Sequence, residues 1–179
     1  MAVIEDLPAL VARAKENDGD AWEALYHHVY PRLFAFARRR LPPDDARDAV
    51  SETMTRAVKA IDRFEPRGYG FEGWLFGICR HVVADQHRAA GRRPRKALDE
   101  PTDRREPDEE LLRGEEAAAV RAAFAKLNQA DRELLELRVV AGLSSEDAAA
   151  ALGKKPGAVR MAQARALEKL RAHLEEVTA

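Results

Sequence analysis

Apolar side chains recur every three or four residues along most of the first ninety positions. From Trp22 to Leu41 this spacing lines one face of a predicted helix, which two prolines then end. The same period resumes after the prolines and runs to Phe64, and it begins again at Trp74. A loop rich in glycine and aromatic residues separates these two stretches. The pattern predicts three long helices that bury a common core.

The helical period is interrupted from Gly91 to about Gly114, where prolines and charged residues replace almost all apolar ones. Such a composition is typical of a solvated linker. Beyond it, helical periodicity returns in residues 115–127, 131–140, 144–152 and 156–174. We therefore predict an all-α fold of two small helical domains, 1–91 and 114–179, joined by a charged, proline-containing linker at 92–113.

A helix-turn-helix pattern begins at Ser144 and reads SSEDAAAALGKKPGAVRMAQARALEKL. Ser144 is suited to cap the first helix, and Gly153 supplies the positive φ of a tight turn. Pro156 fits the first turn of the second helix, and Val159 is spaced to pack back onto the first. The alanine run 148–151 indicates close packing against another helix.

The second helix of this motif carries side chains suited to phosphate oxygens and base edges in the major groove. They are Lys154, Lys155, Arg160, Gln163 and Arg165. An ordinary helical hairpin with a solvated basic face would show the same short pattern. The DNA-binding interpretation is favoured because basic charge and groove-reading geometry coincide.

The stretch LNQADRELLELRVVAGLSSEDAAAALGKKPGAVRMAQARALEKLR resembles, from end to end, the promoter-binding region four of extracytoplasmic-function sigma factors. In that family this region holds the minus-35 promoter element with its recognition helix. The resemblance implies that Lys154 and Lys155 lie nearest the DNA backbone. It places four residues nearest the bases: Arg160, Met161, Gln163 and Arg165.

A second resemblance lies in DDARDAVSETMTRAVKAIDRF, which is similar to the polymerase-binding helix of sigma region two. It implies contact with core RNA polymerase through Asp45, Asp48, Glu52 and Arg56. Without the rest of the chain, a solvated surface helix would explain this mixture of charges equally well.

The next segment, GYGFEGWLFGICRHVVADQHRAAGRR, looks like the part of region two that reads and melts the minus-10 element. Strand opening needs aromatic surfaces for unstacked bases and basic groups for the backbone. The resemblance implies that the contacts come from Arg67, Tyr69, Phe71, Trp74, Arg80, His81 and Arg88. Trp74 reads as a core residue, whereas Tyr69 and Phe71, in a glycine-rich loop, are expected to be exposed.

Charge and composition limit the partners and the cellular location that the chain can have. The formal net charge is only −1, but basic and acidic clusters alternate along the chain, so local patches decide the partners. The single cysteine, Cys79, excludes an intramolecular disulfide and reads as a small buried residue. We expect a cytoplasmic chain, because it begins without a secretion signal and no stretch is apolar enough for direct membrane insertion.

No catalytic constellation, metal site or cofactor site is expected. His27 and His28 are adjacent, and helical neighbours point about 100° apart, so they make a poor metal pair. His81 and Asp85 are better spaced but lack a third ligand. The chain also has no glycine-rich phosphate loop.

The favoured function is that of a sigma factor with core RNA polymerase and promoter DNA as partners, and the family resemblance further implies control by an anti-sigma factor. Two alternatives share the helical composition: a conventional helix-turn-helix transcriptional regulator and a helical protein-binding adaptor. The first domain distinguishes a sigma factor from the regulator, because a regulator does not need a polymerase-binding helix followed by an aromatic loop and a basic helix. An adaptor should show little affinity for DNA at any salt concentration, whereas DNA binding through several phosphate contacts should fall steeply as salt rises.

Overall fold

The computed structural model describes residues 6–90 and 107–178, and within these ranges the chain is helical with no β-strand. The helices are α1 (Leu7–Lys15), α2 (Gly19–Arg38), α3 (Pro43–Ala60), α4 (Phe71–Ala90), α5 (Pro107–Lys126), α6 (Gln129–Leu135), α7 (Ser145–Leu152) and α8 (Pro156–Thr178). A 3₁₀ turn, Ile61–Arg63, extends α3, and a π-helical turn, Glu136–Val140, extends α6.

The three helices predicted in the first domain are present with shifted ends. Asp18 caps α2 by accepting hydrogen bonds from the backbone N–H groups of Asp20 and Ala21, so the helix begins before Trp22. Helix α4 begins at Phe71 instead of Trp74. The apolar faces of α2, α3 and α4 meet in one core, as their periodicity predicts.

Helix α1 was not predicted from the sequence. It closes over one end of the first domain, where the Trp22 indole Nε1 donates to the carbonyl of Ala14 at 3.1 Å. The Lys15 ammonium donates to the carbonyl of Phe64 at 2.5 Å. Two side-chain bonds therefore tie a nine-residue helix to α2 and to the end of the 3₁₀ turn.

The described residues include only the end of the predicted linker. Helix α5 begins at Pro107, so the last residues of the predicted linker 92–113 are helical, while positions 92–106 lie outside the described residues. A small apolar cluster of Leu127, Leu135 and Ala166 joins α5, α6 and α8.

The helix-turn-helix forms as predicted. The Ser144 hydroxyl accepts from the backbone N–H of Asp147 at 2.9 Å and caps α7. Gly153 ends α7 with φ +63°, Pro156 begins α8, and Val159 is fully buried against the preceding helix. The predicted motif is confirmed at each of these positions.

The two halves of the chain are in direct contact. One hydrophobic cluster contains Leu75 and Phe76 of α4 together with Leu134, Ala148 and Val159 of the second half. Helix α4 packs extensively against α7. The alanine run of α7 thus finds its partner helix in the other predicted domain.

Candidate nucleic-acid interface

The outer face of α8 is open to solvent. Val159 and Ala166 are fully buried, and at about 100° per residue Arg160 and Met161 point away from them. Arg160 is exposed and Met161 has 64% of its surface exposed. Three more of the predicted minus-35 residues are also exposed, namely Lys154, Lys155 and Arg165.

Gln163 differs from the other predicted minus-35 residues because it lies on the inner side of α8. It is half-buried, and its Oε1 accepts a hydrogen bond of 2.8 Å from Nε of Arg138. Arg138 also donates to the carbonyl of Leu143 at the entrance to the helix-turn-helix. The hydrogen bond from Arg138 therefore fixes the orientation of the Gln163 side chain on the inner side of α8.

An acidic side chain stands beside the basic face of α8. Glu146, in the first turn of α7, accepts from Arg160 at 3.2 Å. Both side chains are about half exposed, at 59% for Arg160 and 47% for Glu146, so this ion pair is weak and readily exchanged. Phosphate or base oxygens could replace the carboxylate at little cost.

The aromatic residues predicted to be exposed are largely in the core, and the expectation for Phe71 is wrong. Phe71 is only 3% exposed and packs against Phe64 and Trp74, with ring centroids 6.1 and 5.7 Å away. The reason is that α4 begins at Phe71, which turns its ring into the apolar face of that helix. Trp74 is half-buried, as expected of a core residue, and Tyr69 packs on the core edge.

The polar residues predicted for minus-10 binding lie along α4 and the loop before it. Arg67 is exposed and pairs with Glu65 at 2.7 Å. His81 is exposed, and its Nδ1 donates to the carbonyl of Gly77 at 2.7 Å, which assigns the ring proton to that nitrogen. Arg88 is exposed and pairs with Asp85.

Arg80 is the member of this set that contacts the second half of the chain. Its Nε donates to Oε1 of Glu133 at 2.8 Å. The Arg80 side chain is 33% exposed and that of Glu133 is 16% exposed, so the pair is partly withdrawn from water. A cation predicted to hold DNA is thus occupied by a carboxylate of the same chain.

The predicted polymerase-binding residues share the outer face of α3. Asp45, Asp48 and Arg56 are exposed, Glu52 is half-exposed, and Nε of Arg56 donates to Glu52 at 2.7 Å. With α4, this face forms an open groove lined only by first-domain residues: Asp48, Ser51, Glu52, Thr55, Arg56, Val82, Asp85 and Gln86.

Two partly buried charge clusters between the halves were not found from the sequence. In the first, Glu72 accepts from Arg32 and contacts His28 at 2.7 Å, while Arg32 also donates to the carbonyl of Ala141 at 3.2 Å. Burial tends to raise the pKa of Glu72, but the hydrogen bonds and charge of Arg32 and His28 outweigh it and hold that pKa below the usual range. Glu72 is therefore ionised at neutral pH.

The second cluster surrounds Glu136, which is 5% exposed in the π-helical turn. It forms an ion pair with Arg40 of the first half and lies 4.0 Å from Arg39. Burial raises the pKa of Glu136, although the two arginines act in the opposite direction. The guanidinium of Arg39 also lies over the ring of Phe124, 5.7 Å from its centroid.

The sequence also raised the questions of a reactive cysteine, a metal site and a membrane span. Cys79 is fully buried, as predicted, and burial raises the pKa of its thiol to about 12. Among residues 6–90 and 107–178, no three His, Cys, Asp or Glu side chains are placed to hold a metal ion. Nor does any helix in that part of the chain have an apolar stretch suited to crossing a membrane.

The fold and the surface define a class of protein, namely a two-part helical protein with a helix-turn-helix whose second helix has an exposed basic face. Family models refine it, since Sigma-70 region 2 matches residues 25–93 and Sigma-70 region 4 matches residues 117–170. The chain is 40% identical to the ECF RNA polymerase sigma factor ShbA of Streptomyces griseus, over 94% of this chain and 95% of that protein. It is 35% identical to SigD of Mycobacterium tuberculosis, over 93% and 83% of the two chains.

Solved structures agree with this relationship. CnrH, in complex with the cytosolic domain of CnrY, matches with a TM-score of 0.70 at 30% identity, over 96% of this chain and 99% of that one. The sigma factor RpoE, in complex with the anti-sigma factor NepR from Bartonella quintana, matches with a TM-score of 0.63 at 28% identity, over 86% of this chain and 96% of that one.

The chain belongs to the extracytoplasmic-function sigma factors of the sigma-70 family. Its function is to direct promoter-specific transcription initiation by RNA polymerase.

Proposed function

We propose that the two halves divide the work of a sigma factor. The first, about residues 1–91, binds core RNA polymerase through the outer face of α3 and reads and melts the minus-10 element with α4 and its preceding loop. The second, about residues 114–179, binds the minus-35 element with α8. The main support is that the region 2 and region 4 matches each contain one of these exposed charged faces.

The residues proposed for each contact follow from exposure. On α3 they are Asp45, Asp48, Glu52 and Arg56, and on α8 they are Lys154, Lys155, Arg160, Met161 and Arg165, with Gln163 behind them. For the minus-10 element they are Arg67, Tyr69, Arg80, His81 and Arg88, while Phe71 and Trp74 support the loop from the core.

We further propose that the chain acts in the cytoplasm, catalyses no reaction itself, and is controlled by an anti-sigma factor. The last point is supported by RpoE of Bartonella quintana, which was solved with its anti-sigma factor. RNA synthesis then belongs to the polymerase.

Reconstitution with sigma-free bacterial core RNA polymerase tests the division of work. A promoter is first selected from randomised DNA with the reconstituted holoenzyme. Arg160→Ala should reduce promoter-specific transcript roughly tenfold, because a bidentate contact to a base contributes about 1–3 kcal/mol. Arg171→Ala is the matched control, since Arg171 is 83% exposed on the distal part of the same helix.

The polymerase contact is tested separately. Glu52→Lys should weaken co-elution with core polymerase, whereas Glu23→Lys, on the exposed side of α2, should leave it unchanged. Equal behaviour of the members of either pair would contradict the assigned face. Failure of the wild-type chain to co-elute with polymerase would contradict the proposed function itself.

A further inference from the structure

Met161 projects from the outward side of α8. It has 64% of its surface exposed, while Val159 and Ala166, which point to the other side of the helix, are fully buried. A single exposed apolar side chain is ordinary on a protein surface, so its significance depends on the side chains around it.

The residues that share this side of the helix are mostly small. Gly157, Ala158, Ala164 and Arg165 lie three or four positions from Met161, and all four are exposed. A Cβ on Gly157 would meet no atom within 4 Å. We call the surface formed by Gly157, Ala158, Met161 and Ala164 the methionine face. Its other members carry at most a methyl group, so the Met161 side chain extends furthest from it.

Cations stand at the margins of the methionine face. Arg160 and Arg165 are exposed beside it, and Lys154 and Lys155 are exposed at the turn before α8. Glu146 pairs with Arg160 at 3.2 Å, but both side chains are about half exposed, so phosphate can replace this carboxylate. An uncharged strip between positive margins is complementary to a DNA groove, where the base edges lie between two phosphate backbones.

The major groove offers one apolar group to such a strip. The edges of the base pairs present hydrogen-bond donors and acceptors there, apart from the C5 methyl group of thymine. The thioether of methionine is only a weak acceptor and donates nothing, so it distinguishes the polar edges poorly. Its flexible and polarisable chain is well suited to packing against a methyl group.

We propose that Met161 recognises a thymine of the minus-35 element by van der Waals contact with the C5 methyl group of that base. The small residues of the methionine face allow α8 to lie close enough to the bases for this contact. This inference rests on the proposed function, because it names a base recognised by the helix assigned there to the minus-35 element.

Replacing thymine with uracil tests the contact from the side of the DNA. Deoxyuridine pairs with adenine as thymidine does and lacks only the C5 methyl group. Each thymine in the minus-35 element of the selected promoter, on either strand, is replaced in turn. Binding by the reconstituted holoenzyme is measured by equilibrium competition with the unmodified promoter. At one position the replacement should weaken binding about fourfold, the effect of leaving one methyl-sized group unburied.

Substitutions in α8 test the same contact from the side of the protein. Met161→Ala should bind the thymine and uracil promoters equally, because the partner of the methyl group has been removed. Met161→Leu keeps an apolar side chain of similar size and should retain a preference for thymine. Leu167→Ala is the matched control, since Leu167 is 43% exposed on the same helix but lies about 120° around its axis from Met161. It should keep the fourfold preference.

The combined measurements separate a direct contact from a change in the DNA itself. Loss of a thymine methyl group can also alter the shape and stiffness of the duplex, and that change acts on every variant alike. The preference for thymine in wild type, divided by the preference in Met161→Ala, should therefore be about four at one position and close to one at the others.

The possible failures are distinguishable. If wild type with core polymerase gives promoter-specific transcript, but no single uracil weakens binding, recognition of thymine by Met161 is overturned while the proposed function stands. The same holds if Met161→Ala keeps the full preference for thymine, or if the selected minus-35 element contains no A·T pair. If wild type gives no transcript and no polymerase binding, the proposed function fails and this inference fails with it.

Discussion

At the scale of single residues, Glu72 shows that the role of a common acidic side chain depends on its position in the fold. The sequence contains 31 acidic residues, and nothing in its periodicity distinguishes this one. In the folded chain it is withdrawn from water and receives both Arg32 and His28. Because these partners come from α2, forty and forty-four positions earlier in the sequence, the local pattern cannot reveal them.

Glu72→Gln should therefore reduce the free energy of unfolding at pH 7 by about 1.5–3 kcal/mol, the range for hydrogen bonds to charged groups. The pKa of Glu72 is lowered on folding, so its stabilising contribution is complete above the unfolded pKa and disappears as pH falls through the folded pKa. The difference between variant and wild type should shrink below about pH 4. Urea unfolding across this pH range measures it.

Glu65→Gln serves as control, because Glu65 forms a comparable ion pair with Arg67 on the surface. Its effect should stay within about 0.5 kcal/mol at every pH. A Glu72→Gln effect that did not change between pH 7 and pH 3 would show that lost packing, and not charge, causes it.

At the scale of elements, local chemistry determined the helix-turn-helix almost completely. Its cap, its turn and its packing residue were each readable from one side-chain type, and each is present. The prediction failed where a residue and its sequence neighbours indicate different structures. Phe71 stands beside glycines that indicate a loop, yet helix α4 already begins there and buries its ring.

Two glycines of this motif should respond in opposite ways to the same substitution. Gly153→Ala should destabilise the chain by about 1 kcal/mol, because φ of +63° is unfavourable for a residue with a Cβ. Gly157→Ala should stabilise it by up to about 1 kcal/mol, because this residue lies within α8 and a Cβ would meet no atom within 4 Å. Urea unfolding at pH 7 compares them.

The essential result is that the two substitutions change the free energy of unfolding in opposite directions. A stabilising Gly153→Ala would mean that α7 does not end in a left-handed turn. A destabilising Gly157→Ala would mean that the start of α8 packs against something else.

At the scale of the whole molecule, the sequence predicted two helical halves but not their contact. Besides large apolar residues, the surfaces that meet contain glycine, alanine and charged residues, which in a single sequence resemble solvent-exposed or flexible positions. The alanine run of α7 did indicate close packing, but its partner could not be named. Two segments that are distant in the sequence become complementary only in the folded chain, so their contact produces no periodic pattern in the sequence.

Cutting the chain between the halves should leave them associated. A protease site inserted within residues 91–106 allows cleavage after folding. We expect the two pieces to elute together from a sizing column at micromolar concentration, because they share one apolar cluster and three ion pairs.

A Cβ on Gly73 would lie 2.7 Å from Cα of Asp147 in α7, whereas one on Gly77 would lie 3.7 Å from Cα of Ala151. Because overpacking weakens a close contact, we expect the pieces of the cleaved Gly73→Ala protein to separate more readily than those of the cleaved Gly77→Ala protein. Separate elution of the cleaved wild-type pieces would show that only the intact connection keeps the halves together.

The hydrogen bond between Arg138 and Gln163 has a consequence for sequence preference. A guanidinium can only donate, so the oxygen of the Gln163 amide must face Arg138, and the amide –NH₂ group is what remains. Where that group meets a base edge, it fits the O6 or N7 of guanine or the O4 of thymine and disfavours the amino group of cytosine. We therefore expect Arg138, through this hydrogen bond, to determine part of the base preference proposed for Gln163.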